Sequence, residues 1–331
     1  MVALVFIPFF IFFYKPIDAA SQPCYALSLG GGGAFGAYQA GSFSALTNLL
    51  PQSQSNYSAF VGISVGSLNS LILSQFPSGS NSQAALFLNT VWTTLNGSRS
   101  IFKEFTGGLI GGILFHSGML NTTPLYDLMK SKVTKLPARK VSMGTIEMNS
   151  GEFQMYKENN TLGVLQHASM CSSAIPFFFE DQDLNGGVYG DGGGYNMFDA
   201  AEPVRRCLEV TDESQVVVDI VSLFRDELAP DGNETLRTLD VFFRAFEITS
   251  YDFGMDSLEF ASEAYPKAFF RYFVQPSKSF MPYQALDFNL QFLESLISLG
   301  YNDTQKVIQS SEPFDLKSHL QRRRKQVVWF P

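Results

Sequence analysis

The run Gly62-Ile63-Ser64-Val65-Gly66 decides how this chain is read. It follows the short apolar run Ala59 to Val61 and leads into Val65, Leu68, Leu71 and Ile72, apolar residues at helical spacing. A strand that turns sharply into a helix here holds the Ser64 hydroxyl out at the bend. Gly62 and Gly66 permit the bend, because a side chain at either place would strike the neighbouring strand or helix. The helix start also sets backbone N–H groups and the positive end of its dipole beside the serine. A serine nucleophile needs that setting. Chance also produces G-x-S-x-G in a chain rich in Gly and Ser, so the reading turns on what stands around it.

Upstream, Tyr25 to Leu29 reads as a short buried strand, broken by Gly30 to Gly33 and followed by Gly36. From Ala37 the positions Tyr38, Phe43, Leu46, Leu49 and Leu50 give a helix stopped by Pro51. Strand, glycine turn and helix therefore occur twice in succession, the opening of a three-layer α/β/α sandwich with a largely parallel sheet. Gly31, Gly32 and Gly33 can aim successive N–H groups into one concavity without Cβ atoms in the way, as the developing oxyanion of acyl transfer requires. Gly31, Gly33 and Gly36 also spell G-x-G-x-x-G, but a dinucleotide site needs an acid about twenty residues on. From Ala19 to Ser98 there is no Asp, Glu, Lys or Arg, which argues against a nucleotide cofactor, and the missing lysine rules out a P-loop.

That uncharged stretch means the base must come from far along the chain. The candidates are His116, His167, His319 and Asp191, the last within Gly190-Asp191-Gly192-Gly193-Gly194 after the apolar Val188-Tyr189. An aspartate among glycines sits on a tight turn where backbone can crowd close to a nucleophile; standing alone it would be read as an Asx turn.

Taken together these residues resemble the patatin-like phospholipase family. The resemblance rests on Gly31-Gly32-Gly33-Ala34-Phe35-Gly36, the Ser64 elbow and Asp191-Gly192-Gly193, in that order. It extends to Ser172-Ser173-Ala174-Ile175-Pro176 before the aspartate and Asn196 after it, and covers about residues 25–204. It implies a serine–aspartate dyad on a patatin-like sandwich, cleaving acyl ester bonds of membrane or micellar lipid without metal or other cofactor. Ser64 would attack the carbonyl, Asp191 would take its proton, and the amides of Gly31 to Gly33 would hold the oxyanion. One departure stands out: the family often carries Lys or Arg where this chain has Phe35. A free aspartate is a weak base for a hydroxyl, so the dyad also demands that desolvation raise its pKa.

Two other readings compete with the dyad. Ser64, Asp191 and His319 satisfy the order of an α/β-hydrolase triad, although His319 lies in a basic C-terminal segment with no evident strand before it. A non-catalytic storage or lipid-binding glycoprotein on the same fold is the other, since fold does not fix function. An acyltransferase would share the acyl-enzyme and differ only in the acceptor.

Composition bounds the rest. The chain has 331 residues, 45% of them hydrophobic and 16% charged, ample for a large core, and a net charge of −8 argues against nucleic acid as partner. Residues 1–20 read as a secretory signal, an apolar run to Tyr14 with small residues near Ala19 and Ala20, a buried N-terminal element being the alternative. Residues 21–331 then form one acyl hydrolase domain, its motifs confined to about 25–204. Six N-x-S/T acceptors, Asn56, Asn96, Asn121, Asn159, Asn233 and Asn302, favour a secretory or lumenal glycoprotein. Cys24, Cys171 and Cys207 allow one disulfide at most and lack metal-ligand spacing.

Four further stretches bear on placement. Ile101 to Leu120, strongly apolar and glycine-rich, reads either as a mobile cap that touches lipid or as an ordinary buried segment. Helices are expected near Ala84–Leu95, Pro124–Val133, Val164–Ser173, Leu236–Ile248, Asp256–Ala264 and Phe288–Leu299. Strands are expected at Val141–Glu147, Glu152–Tyr156 and Val216–Phe224. The basic Arg322 to Lys325 beside apolar Val327 to Phe330 reads as a solvated tail, transient contact with an anionic membrane surface being the alternative.

Overall fold

The computed structural model describes residues 22–95, 97–225 and 238–310, with Phe314, Asp315, Ser318 and Leu320 beyond them. The expected signal (1–20), Asn96, Asn233, His319 and the basic C-terminal cluster lie outside the described residues.

In chain order the first third runs β1 (Cys24–Leu29), α1 (Gly36–Leu49), α2 (Gln52–Ser55), β2 (Ala59–Ile63), α3 (Val65–Ser74) and α4 (Asn81–Thr93). Next come β3 (Lys103–Glu104), α5 (Gly108–Phe115), β4 (Gly118–Asn121), α6 (Thr123–Lys132), β5 (Lys140–Glu147) and β6 (Phe153–Lys157). After these follow α7 (Leu162–Ser172), β7 (Phe177–Phe179), β8 (Gln182–Leu184), β9 (Gly187–Asp191) and α8 (Ala201–Leu208). The chain continues through β10 (Val216–Val221), α9 (Thr238–Ala264), β11 (Phe269–Val274) and α10 (Leu290–Gln309).

The main sheet has the order β11-β10-β1-β2-β5-β9-β8, with β6 also on β5. Its five-strand centre from β11 to β5 is parallel, and β6, β8 and β9 add antiparallel pairs at one side. This is the mostly parallel α/β sandwich expected. Side-chain alternation separates the two faces: Leu27, Leu29, Phe60 and Met143 pack with α1, α3, α4 and α10. Ala26, Ala59 and Val218 pack with α8 and α9 on the other face. Strands buried on both faces read as continuous apolar runs, which is why β10 was plain in the sequence.

Three features were not. β11 is Phe-Phe-Arg-Tyr-Phe-Val, and its Arg271 is buried against Asp219 of β10, Nε to Oδ1 at 3.0 Å, so a charge hides inside a strand. The short β7 and β8 lacked enough residues for a period. The two helices expected at 236–248 and 256–264 are one, α9, continuing through Gly254.

Cys24 and Cys207 form a disulfide that joins the start of β1 to the end of α8, and Cys171 is free and buried. The stretch 101–120 is exposed at its centre: α5 shows Ile110, Leu114 and Phe115 at 71, 66 and 81% exposure, while its stems at Ile101, Met119 and Leu120 are buried. The ordinary buried segment therefore fails as an account of α5. A second small sheet, β3-β4-β7, carries it. Among the glycosylation acceptors, Asn159 and Asn302 are exposed, whereas Asn56 and Asn121 are half-buried. No helix among the described residues is long and apolar enough to cross a membrane.

Candidate active site

Ser64 stands at the junction of β2 and α3 with φ 53° and ψ −126°, a left-handed conformation that costs a non-glycine residue about 1–3 kcal/mol. The elbow is as tight as its glycines require. A Cβ on Gly62 would run into the backbone of Gly66, and one on Gly66 into the carbonyl of Leu29. The Ser64 N–H donates to Ser172 Oγ at 2.9 Å, and that hydroxyl donates to the Gly144 carbonyl at 2.6 Å, so α7 and β5 brace the bend.

Asp191 ends β9 opposite Thr145 of β5, and its N–H donates to the Ala174 carbonyl at 3.0 Å. The Ser64 hydroxyl donates to Asp191 Oδ2 at 2.7 Å, across 127 residues of sequence. Asp191 Oδ1 accepts from the Gly193 N–H at 2.6 Å. Gly192 packs against the Gly144 carbonyl, close enough that a Cβ would not fit. Asp191 is only 2% exposed, and burial pushes its pKa from 3.8 up to about 7, against the opposing pull of the Ser64 and Gly193 hydrogen bonds. The carboxylate the dyad needs as a base is thus far stronger than a free aspartate.

The glycine-rich loop departs from the expectation in one place. Gly31 was read as an oxyanion donor, but its N–H donates to the Met197 carbonyl at 2.8 Å and is not available. Gly30 likewise donates to Val221 O at 3.0 Å. The N–H groups of Gly32 and Gly33 have no acceptor among the described residues, and Gly33 lines the same cleft as Ser64. α3 begins at Val65, beside the nucleophile, so its first amides lack intrahelical acceptors there. Gly36 packs against Val65 and Trp92, where no side chain would fit. Phe35, at the place of the family's frequent cation, is buried and stacks on Phe280 at 4.5 Å; its role is packing.

Beside Ser64 opens a narrow cleft. Leu68, Ile72, Trp92, Leu125, Met129 and Phe179 make its walls almost wholly apolar, with Asn69 and Ser173 as polar exceptions beside Ser64. Ile101, the first stem of the α5 segment, and Leu125 of α6 also line it, and the Leu125 N–H donates to the Ile101 carbonyl at 3.1 Å. The exposed helix is therefore rooted at the rim of the cleft.

Neither described histidine reaches the dyad. His116 lies at the foot of α5, 2.8 Å from Glu180 and stacked on Phe105, and His167 on α7 packs on Tyr126. Among the described residues no cluster of three or more His, Cys, Asp or Glu is placed to hold a metal. Two partners had no role assigned from sequence. The Ser172-Ser173-Ala174-Ile175-Pro176 run carries part of the resemblance without marking Ser172 as the brace of the elbow, and Met197 acts through its backbone, which no side chain advertises.

A serine held on a strained elbow against a buried carboxylate, beside an apolar cleft, defines the acyl-hydrolase class of α/β proteins. The family model described as patatin-like phospholipase matches residues 27–204, more than half of the chain, and the chain belongs to that family. Among solved structures, VipD from Legionella pneumophila is similar at 13% identity and a TM-score of 0.41, covering 90% of this chain and 67% of that one. The comparison with curated proteins finds no match. The family is one of lipid acyl hydrolases.

Proposed function

We propose that the protein hydrolyses carboxylic esters of membrane or micellar lipids in the manner of a phospholipase A, through an acyl-enzyme on Ser64 with Asp191 as base. The observation that carries this reading is the 2.7 Å bond from Ser64 Oγ to a buried carboxylate whose pKa is pushed up to about 7. Ser64 Oγ attacks the ester carbonyl while its proton passes to Asp191 Oδ2. The tetrahedral oxyanion is received by the amides of Gly32 and Gly33 together with the α3 helix start. As the intermediate collapses, Asp191 returns the proton to the departing alcohol oxygen. Water then attacks the acyl carbonyl and gives its proton to Asp191; as the Ser64 Oγ–acyl bond breaks, Asp191 returns that proton to Oγ, and the fatty acid leaves. The apolar cleft accommodates the acyl chain. Neither nucleotide nor nucleic acid has a part in this scheme.

The exposed apolar face of α5 supports transient contact with the lipid surface, since such a face gains by leaving water and Ile101, at the first stem of its segment, lines the cleft. The Cys24–Cys207 disulfide supports a secretory or lumenal location, where disulfides persist. Among the described acceptors, exposed Asn159 and Asn302 are best placed for glycans.

A fluorophosphonate probe tests the reading on the mature protein, with Ser64→Ala, Asp191→Asn and His319→Ala assayed on a phospholipid and a short-chain ester. Labelling should vanish in Ser64→Ala, and turnover in both Ser64→Ala and Asp191→Asn. Loss of turnover in a folded His319→Ala would favour the triad, and an unlabelled parent protein would favour a non-catalytic role.

A further inference from the structure

Beneath the site lies a chain of buried, uncharged hydrogen bonds. Asn69, on α3 and 1% exposed, donates through Nδ2 to the Gly36 carbonyl at 3.1 Å and to Gln39 Oε1 at 2.8 Å. Its Oδ1 accepts from the Trp92 indole N–H at 3.1 Å. Gln39, fully buried on α1, donates in turn from Nε2 to the Gly30 carbonyl at 2.6 Å. One carboxamide therefore pins both ends of the loop from Gly30 to Gly36, directly at one end and through Gln39 at the other.

That loop contains the two unengaged amides, on Gly32 and Gly33, at φ 152° and 57°. Four consecutive glycines have no side chains to lock their own conformation, and glycine is the residue with most backbone freedom to lose. Their placement depends on anchors outside the run. Two anchors are the Gly30 and Gly31 amides on Val221 and Met197; the others are the carbonyls held by Gln39 and Asn69. Asn69 also sits on the helix that starts at the nucleophile, so it ties the serine and the amide loop to one rigid element. On the strength of the reaction proposed above, we infer that Asn69 is a positioning residue: it sets where the Gly32 and Gly33 amides stand relative to Ser64, with Gln39 as its extension.

A positioning role differs from plain packing in what it moves. Displacing oxyanion donors by a fraction of an ångström weakens the transition state and leaves the ground-state grip on an acyl chain alone. The test uses the full chain with a short-chain ester, an alkyl trifluoromethyl ketone, and the fatty-acid product. The ketone adds to Ser64 as a tetrahedral hemiketal whose oxygen needs the same amides; the fatty acid does not. Asn69→Ala should lower kcat/KM and weaken the ketone by the same factor, about 10- to 100-fold. KM and fatty-acid affinity should change much less than kcat/KM and the ketone affinity.

Gln39→Met keeps the Asn69 bond to Gly36 while freeing the Gly30 carbonyl and removing one of the two acceptors of Asn69 Nδ2, so it should show the same parallel loss at smaller size. It decides the matter if Asn69→Ala does not fold. Full turnover in either folded variant overturns the inference. So does an equal loss of ketone and fatty-acid binding, which would mean a collapsed cleft and not a displaced loop. A parent protein that fluorophosphonate does not label sinks the acyl-hydrolase reading itself, and this inference with it.

Discussion

Asp191→Asn should make the folded protein more stable in alkaline solution while abolishing its chemistry. The wild-type carboxyl is buried, with its pKa raised from 3.8 to about 7, so the native state prefers it protonated. A raised carboxyl contributes stability that is fully present below the unfolded value and is lost as pH climbs through the folded one. The interval from 3.8 to about 7, at about 1.36 kcal/mol per tenfold in proton affinity, gives about 4 kcal/mol lost in full above pH 7. Somewhat under half of that has gone by pH 5, which leaves about 2.5 kcal/mol to disappear between pH 5 and pH 8. Asparagine carries no charge at any of these values. It can still accept from the Gly193 amide and meet the Ser64 hydroxyl. Urea unfolding of the oxidised proteins at pH 5, 6, 7 and 8 isolates this one group, because every other titration cancels in the difference between variant and wild type. The variant should gain about 2.5 kcal/mol on the wild type across that range. A difference flat with pH would mean that the carboxyl is not held in the dry environment from which its basicity was argued.

The same carboxyl must be ionised to act, so kcat/KM on a soluble ester should rise with pH to a plateau, with its midpoint near 7; a midpoint near 4 would contradict the burial argument. Gly66→Ala drives a methyl group into the Leu29 carbonyl on the neighbouring strand, and thermal melting should show a loss of about 3 kcal/mol or more. Replacing Ile110 and Phe115 together by serine should weaken binding to phosphatidylcholine vesicles at least tenfold, each buried side chain being worth about 1.5–3 kcal/mol. Turnover of a water-soluble short ester by that variant should be untouched, and parallel loss of both would remove α5 from the lipid surface.

What was legible in the sequence was whatever chemistry forces on residue type. The elbow shows itself because only glycine fits at 62 and 66, and Asp191 because a carboxylate flanked by glycines is hard to explain as packing. The parallel core showed as β-branched and apolar runs. The Gly31 amide misled because its partner is a backbone carbonyl at Met197, and main-chain bonding between distant segments leaves no mark on side-chain identity. Asn69 and Gln39 do not stand out in the sequence because a polar residue in a helix is ordinarily on the wet face. The available clue was that α1 and α3 contain no charge at all, so their amides had nowhere exposed to go. The α5 segment was half legible: its composition declares an apolar element, while only the fold decides which side of it meets water.

The order of the three thiols along the polypeptide has a consequence for biogenesis. Cys171 emerges from the ribosome before Cys207, so the first partner that Cys24 meets is the wrong one. Native pairing then requires either that α7 dock early enough to sequester Cys171, whose burial raises its pKa to about 12 and starves it of thiolate, or that a shuffling step correct the error later. A Cys171→Ser chain refolded from the reduced state should reach its single oxidised form faster and without the help of a disulfide isomerase; equal rates with the parent would show that the competing thiol is never in play.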